Sequence, residues 1–132
     1  MTDSSPPFTR LDVCNRFLES VRHSVVLGME VISAEETAVR ARLPWRDDLV
    51  GNPETGVMHG GAIFAMMDHA GGISVTCRTF PVFEITPTID FRVDHLRGPA
   101  KGAAVVCEAS CYRLTPHVAF VRITSWEEGN ED

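Results

Sequence analysis

One carboxylate stands inside the most apolar stretch of the chain. Residues 62–67 read Ala-Ile-Phe-Ala-Met-Met, and Asp68 follows them directly. At helical period this stretch leaves no polar face, so it predicts a central helix surrounded by protein. A buried carboxylate is costly unless it is paired, hydrogen-bonded or protonated. Function most often explains such a cost, so Asp68 is the first catalytic candidate; the alternative is a structural Asp that caps a loop or pairs with an arginine.

The predicted helix begins at His59-Gly60-Gly61. The first N–H groups of a helix have no intrahelical acceptor and lie at the positive end of the helix dipole, which suits a developing oxyanion. Because they lack a Cβ, Gly60 and Gly61 also let a ligand approach the backbone closely. Both glycines are therefore candidate oxyanion donors, with a plain tight turn as the alternative.

These residues and their flanks carry the motif of a known family. The matching positions are His59-Gly60-Gly61, Asp68, Asn52-Pro53, Gly56 and the run 88–97. Together they resemble the hotdog-fold acyl-CoA thioesterases of the phenylacetate-pathway (PaaI-like) type, over roughly residues 25–126. The resemblance implies hydrolysis of an acyl-CoA thioester to acid and free thiol. It implies no metal and no cofactor, since coenzyme A is part of the substrate.

The resemblance also implies roles for single residues. Asp68 either attacks the thioester carbonyl or acts as general base on a water, and the sequence leaves both open. Thr88 stands where the family carries a hydroxyl near the acid, with an ordinary strand Thr as the alternative. His59 positions the carbonyl or holds the loop. Asn52 fixes a water or the carbonyl through its amide, although Asn before Pro is equally common in turns.

A coenzyme A substrate requires cations at the mouth of a narrow apolar channel. His95, Arg97 and Lys101 bracket a Gly-Pro turn and are candidate phosphate ligands, with a solvated turn as the alternative. Met67 and Gly72 are candidates for the acyl pocket, although core filling is the more common role of a Met. The apolar surroundings favour an aromatic or medium-chain acyl group over acetyl.

The spacing of donor and acid predicts an oligomer. Gly60 and Asp68 are eight residues apart, which is about 12 Å along one helix and too far for both to contact one carbonyl. A second, antiparallel copy of the helix brings the donor of one subunit to the acid of the other, giving two equivalent sites. We therefore expect a homodimer with a continuous sheet, and a dimer of dimers is left open.

Shorter patterns predict the elements around the central helix. They give a disordered Pro- and Ser-rich start (1–9), an N-terminal helix (10–22), strands at 25–32, 37–43 and 84–96, a hairpin (103–114 and 117–126) and an acidic tail (127–132). An antiparallel sheet curled about the helix is the arrangement that buries it. The expected fold is thus α+β, a hotdog fold with the sheet wrapped around a long central helix. Its 132 residues are expected to form a single domain.

Composition argues against several other classes of protein. The formal charge of -6 disfavours a nucleic-acid-binding face. No secretory signal and no run of roughly 18 apolar residues is visible, so we expect a cytoplasmic protein without a membrane span. The four cysteines form no Cys-x-x-Cys pair, so we expect reduced thiols rather than a zinc site or a disulfide framework.

Two other functions stay open on this fold. One is a dehydratase or hydratase that acts on a fatty-acyl carrier, a class that pairs a catalytic His with an acid on the central helix. The His-Gly-Gly start of the helix argues against it. The other is a non-catalytic acyl-CoA sensor, against which the acid at Asp68 argues.

Overall fold

The computed structural model describes residues 8–131, so most of the segment predicted to be disordered lies outside the described residues. The elements are α1 (Arg10–Ser20), α2 (Arg22–Leu27), β1 (Glu30–Ala34), β2 (Val39–Leu43), a 3₁₀ turn (Asp47–Leu49), β3 (Val50–Asn52), β4 (Val57–Met58), α3 (Gly60–Thr79), β5 (Val105–Leu114) and β6 (Ala119–Glu127).

Four strands form one antiparallel sheet in the order β1-β2-β5-β6, while β3 and β4 form a separate hairpin. The long helix α3 lies across the four-stranded sheet and contacts β2, β5 and β6. Fully buried side chains fill the core, among them Val39 and Leu43 from β2 and Met66 and Ile73 from α3. The predicted α+β hotdog architecture is confirmed.

The N-terminal third differs from the prediction. The first helix begins at Arg10, where Thr9 and Asp12 form a capping box, but it ends at Ser20. The strand predicted at 25–32 is wrong up to residue 29, because α2 occupies its first part. Gly28, with a φ of 78°, closes α2 by donating its N–H to backbone carbonyls of that helix. A short apolar run fits a buried strand and a helix equally well, and the left-handed glycine decides for the helix.

The long strand predicted at 84–96 is also wrong for the single chain. This stretch, which we call the extended segment, has no strand pairing within residues 8–131. Ile85, Ile89 and Leu96 are 71%, 82% and 94% exposed, whereas Phe91 and Val93 pack against the core. A strand needs a neighbour to satisfy its ladder, and the described chain places none beside this segment.

Within the single chain, protein covers only part of the helix α3. Gly61 and Phe64 are exposed, and Ala65, Asp68 and Gly72 are half-buried. These residues recur at three- and four-residue spacing, so they form one stripe along the helix. The reason is that the sheet covers only the opposite side. We refer to this set as the open stripe of α3.

The acidic tail begins inside β6, which ends at Glu127. Beyond it, the guanidinium of Arg42 donates two hydrogen bonds to the Glu128 carboxylate, of 2.6 and 3.1 Å. Arg40 contacts Glu131 at 3.4 Å. Two arginines of β2 therefore hold the described part of the tail against the sheet.

Candidate active site

A hairpin leads the chain into the start of α3. In the turn between β3 and β4, Asn52 Oδ1 accepts a hydrogen bond from Glu54 N (3.0 Å), and Asn52 O accepts one from Gly56 N (2.8 Å). Gly56 has the left-handed φ of 71°, and Trp45 Nε1 donates to its carbonyl oxygen (3.0 Å). The turn thus uses the amide oxygen of Asn52, while its NH₂ group has no hydrogen-bond partner among residues 8–131.

His59 caps the N-terminus of α3 with its side chain. Its Nδ1 accepts a hydrogen bond from Gly61 N (2.8 Å), and the backbone N–H of His59 donates to Leu49 O (2.7 Å). Because Nδ1 is the acceptor, the neutral ring carries its proton on Nε2. The expectation of two free oxyanion donors is therefore corrected, since the Gly61 N–H is already bonded.

Gly60 N–H is the donor left open at this end of α3. It has no acceptor among residues 8–131, and it lies at the first position of the helix, where the dipole is positive. The ring of His95 lies close to it, since a Cβ placed on Gly60 would be 3.4 Å from His95 Cε1. The free N–H of Gly60 and the imidazole of His95 therefore lie side by side at the start of α3.

Lys101 reaches the same hairpin from the turn that follows the extended segment. A Cβ on Gly56 would lie 2.6 Å from Cγ and Cδ of Lys101, so the aliphatic part of the lysine packs directly on the hairpin backbone. Arg97 is exposed and forms no ion pair or hydrogen bond within the described range. Of the three predicted phosphate ligands, the structure places His95 beside Gly60 and Lys101 on the hairpin, and leaves Arg97 in solvent.

Asp68 lies in the open stripe and is held by Thr88. Thr88 Oγ1 donates a hydrogen bond of 2.6 Å to Asp68 Oδ1. Oδ2 has no hydrogen-bond partner within residues 8–131, and the residue is half-buried rather than fully buried. Thr88 thus orients the carboxylate through Oδ1, and Oδ2 is left open for another contact.

An aromatic contact beside Asp68 fixes the extended segment on α3. Phe64 lies one helical turn before Asp68, is 38% exposed, and packs against Phe91 with 4.6 Å between ring centroids. Phe91 follows Thr88 by three residues. Since both contacts join the same two elements, they orient the Thr88 hydroxyl together. Beyond the aromatic character of both residues, no pattern in the sequence indicated the Phe64–Phe91 pair.

His69 points away from the open stripe, toward α1 and α2. Its Nδ1 shares a hydrogen bond with Ser24 Oγ, and the ring of Phe17 packs edge-on against it at 4.9 Å. Its Nε2 is buried without a hydrogen-bond partner in the part of the chain described. Burial lowers the pKa of His69 below its ordinary value of 6.5, and the charge of Asp68 partly opposes this. These are the contacts of a packed, neutral histidine.

The two acyl-pocket candidates on α3 lie in different surroundings. Met67 is 7% exposed and belongs to the hydrophobic core, so it does not reach the open stripe. Gly72 does lie in the stripe, where a Cβ would be 3.7 Å from Phe17 Cε1, an ordinary contact. Close packing therefore does not require a glycine at position 72.

A cavity of about 320 Å³ opens beside the start of α3. Its lining combines α2, the 3₁₀ turn and the first turns of α3, and consists of His23, Leu27, Asp48, Leu49, Val50, His59, Gly61, Ala62 and Ala65. Sequence reasoning missed the part of this lining that comes from α2, because it placed a strand there. The cavity is largely apolar and meets the open stripe at Gly61 and Ala65.

The candidate residues of one chain therefore form two separate groups. The donor half consists of His59, Gly60 and His95, and the acid half consists of Asp68 and Thr88. Both halves lie along one helix, and the eight residues from Gly60 to Asp68 correspond to about 12 Å. A single thioester carbonyl cannot contact both halves of the same chain.

Comparison with known proteins places the chain in a family. The family model described as thioesterase superfamily matches residues 55–132, which is more than half of the chain. The protein belongs to the thioesterase superfamily, and the resemblance to hotdog thioesterases is confirmed. No helix among residues 8–131 has both the length and the apolar character needed to cross a membrane.

Individual relatives agree with this membership. A crystal structure of a Pseudomonas aeruginosa protein is 41% identical, with a TM-score of 0.84 over 94% of this chain and 91% of that one. The medium/long-chain acyl-CoA thioesterase YigI of Escherichia coli is 29% identical over 109 residues, 74% of this chain and 70% of YigI. The phenylacetic acid degradation protein PaaI of Thermus thermophilus shares the fold at 23% identity, with a TM-score of 0.67 over 83% of this chain and 90% of PaaI.

The curated relatives extend beyond the matched region. A Halobacterium salinarum protein is 34% identical over 100 residues, which are 74% of this chain but only 65% of the halobacterial one.

Proposed function

We propose that the protein is an acyl-CoA thioesterase that hydrolyses an aromatic or medium-chain acyl-CoA to the free acid and CoA. The observation that mainly supports this is the Asp68 carboxylate, fixed by Thr88 at 2.6 Å and open at Oδ2, in a chain of the thioesterase superfamily. The substrate class is further supported by the E. coli relative, which is named as a medium/long-chain acyl-CoA thioesterase.

Asp68 performs the chemical step through its open oxygen. As a nucleophile, Oδ2 attacks the thioester carbonyl, CoA leaves as the thiolate, and water hydrolyses the resulting mixed anhydride. As a general base, Oδ2 takes a proton from a water that attacks the carbonyl directly. Thr88 has the same task in both routes, because its hydrogen bond holds Oδ1 and thereby aims Oδ2.

The developing oxyanion is stabilised by the backbone N–H of Gly60 from the partner subunit. This donor is free in each chain because His59 caps Gly61 instead. An antiparallel pairing of two open stripes brings the donor half of one chain to the acid half of the other, which gives two equivalent sites. The amide of Asn52 and the Nε2–H of His59 supply further donors at this end.

The assembly is accordingly a homodimer, with a dimer of dimers as the higher-order possibility. Both surfaces it needs are open in the single chain: the stripe with Phe64 and Asp68, and the extended segment with Ile85 and Ile89. Pairing of the extended segment with a strand of a second chain satisfies its backbone groups and covers these apolar side chains.

The two ends of the substrate occupy different surroundings. The CoA phosphates meet Lys101 beside the hairpin, with Arg97 close in sequence as a second cation. The ring of His95 lies beside Gly60 and therefore at the thioester end, from which the pantetheine arm separates the phosphates. The acyl group enters the cavity beside α2, where Leu27, Leu49 and Ala65 provide apolar contacts. Met67 remains behind this surface, as part of the core.

The test is a panel of acetyl-, hexanoyl-, decanoyl- and phenylacetyl-CoA, with release of free thiol as the readout. We expect hydrolysis of the larger acyl groups with a kcat/KM above that for acetyl-CoA, and its loss in Asp68→Asn. Binding without thiol release would identify a sensor, and hydration of an enoyl thioester without hydrolysis would identify a hydratase. Either result would overturn the proposal.

A further inference from the structure

Two cysteines from different helices are in direct contact in the core. Cys14 lies on α1 and Cys77 near the end of α3, and their Sγ atoms are 3.3 Å apart although 63 residues separate them. They are 0% and 1% exposed. A disulfide requires a sulfur separation of about 2 Å, so side-chain movements of roughly 1 Å would join these two.

The other two cysteines provide an internal comparison. Cys107 and Cys111 are four residues apart on β5, which corresponds to about 13 Å along a strand and prevents a bond between them. Burial raises the pKa of Cys107 to about 12 and also raises that of Cys111. Both thiols are thus poorly reactive, and neither contacts another cysteine sulfur in the described structure.

The surroundings of Cys77 favour its reaction. The sulfurs of Cys14 and Cys77 share a hydrogen bond in which either S–H can donate. This bond lowers the pKa of Cys77 and the positive charge of Arg10 acts in the same direction, while burial opposes both. Arg10 Nε also donates to the carbonyl oxygen of Cys77 at 3.1 Å, so the guanidinium is held at this end of α3. Cys77 is therefore the sulfur that reacts first, and Cys14 lies at contact distance to form the disulfide with it.

We propose that Cys14 and Cys77 are a redox-responsive pair that a peroxide converts into an intramolecular disulfide. In the first step the Cys77 thiolate attacks a peroxide oxygen, giving a sulfenic acid and, for hydrogen peroxide, hydroxide. In the second step the Cys14 sulfur attacks the sulfenic sulfur, and water leaves once the Cys14 proton is transferred. Overall, two thiols and one hydrogen peroxide give one disulfide and two waters. A dithiol reductant reverses the bond.

The bond would lock α1 onto α3. The helix α1 carries Phe17, whose ring contacts His69, the residue directly after Asp68. A cross-link at Cys14 and Cys77 therefore fixes the element that packs behind the acid. Since both sulfurs are buried, peroxide reaches them through local opening of α1, and the reaction is slow until that helix loosens. The cross-link restricts the unfolded chain, so it should raise Tm by roughly 5 °C or more.

The experiment treats the whole native protein with hydrogen peroxide and then alkylates the remaining thiols. We expect two of the four thiols to be lost, a mass lower by two hydrogen atoms, and a Cys14–Cys77 peptide after non-reducing digestion. Tm should rise and return to its starting value with a dithiol. Cys107→Ser and Cys111→Ser should behave like wild type, whereas Cys14→Ser should gain oxygen on Cys77 without a cross-link.

Several results would overturn the proposal. They are four free thiols after peroxide treatment, a bond that involves Cys107 or Cys111, a bond between chains only, or oxidation of Cys77 beyond the sulfenic acid while Cys14 stays free. Because peptide mapping of the wild-type protein decides the matter, the outcome does not depend on the folding of the Cys14→Ser variant.

Discussion

Thr88 Oγ1 and Asp68 Oδ1 are 2.6 Å apart, although one lies on the extended segment and the other on α3. The segment has no strand partner within residues 8–131, yet it supplies the group that orients the acid. The position of the carboxylate therefore depends on an element that the single chain does not hold in its sheet.

The Thr88 hydrogen bond should matter more for turnover than for folding. Thr88→Val removes the donor and keeps the shape, so we expect kcat to fall by about 10- to 100-fold, the value of a hydrogen bond to a charged group. Thr88→Ser keeps the hydroxyl and should retain most activity. Steady-state thiol release measures both variants, and equal activity in Thr88→Val and wild type would show that the bond does not assist catalysis.

The Gly60 N–H can be removed without disturbing the helix. Proline is accepted at the first helical position, so Gly60→Pro removes the donor and keeps the helix. This change should lower kcat by about 100-fold or more. Gly60→Ala is the matched control, because it adds the same Cβ beside His95 and keeps the N–H. If both variants lost activity equally, the His95 contact and not the donor would be responsible.

A site shared between subunits can be tested by mixing inactive chains. Asp68→Ala and Gly60→Pro dimers each lack one component at both sites. In a mixed dimer one site carries both defects and the other carries none, so about half of the wild-type activity per dimer should return. Differently tagged chains allow purification of the heterodimer before assay. Purified heterodimers that stay inactive would contradict the shared site.

Acid should destabilise the fold through His69. Its pKa is lower in the folded protein than in the unfolded chain, where it is near 6.5, so the unfolded state binds more protons in this range. Stability is therefore full above about pH 6.5 and decreases as the pH falls through the lowered pKa. His69→Asn keeps a partner for Ser24 without a titrating ring, and its urea midpoint should depend less on pH between 8 and 5. Parallel pH profiles of the variant and the wild type would show that His69 is not the group responsible.

The sequence predicted the long elements better than the short ones. The apolar run after His59 and the hairpin predicted at 103–114 and 117–126 identified α3, β5 and β6, because these elements bury regular faces. Residues 25–29 were misassigned because a few apolar residues have no clear period, and the left-handed Gly28 became decisive only in three dimensions. The alternation in 84–96 is that of a strand, but its partner does not lie within the described chain.

The site was predictable to a similar degree. The importance of Asp68 followed from a carboxylate in apolar surroundings, whereas Thr88 was connected to it only through the family resemblance. Capping of Gly61 by His59 was not foreseen, because histidine is not among the common N-cap residues and its ring orientation is set by the hairpin. The cavity beside α2 could not be predicted once α2 itself was misassigned.

The pairing of β2 with β5 also determines when the protein can fold. Arg40 lies opposite Glu108, so the centre of the sheet joins residues from the two halves of the chain, with α3 synthesised between them. Such non-local pairing slows folding, and synthesis proceeds from the N-terminus. The apolar side of α3 therefore leaves the ribosome before β5 and β6, the strands that cover it, have been made. Folding of the core is thus expected to finish only once β6 is available, and chains that stop before residue 105 should be bound by chaperones.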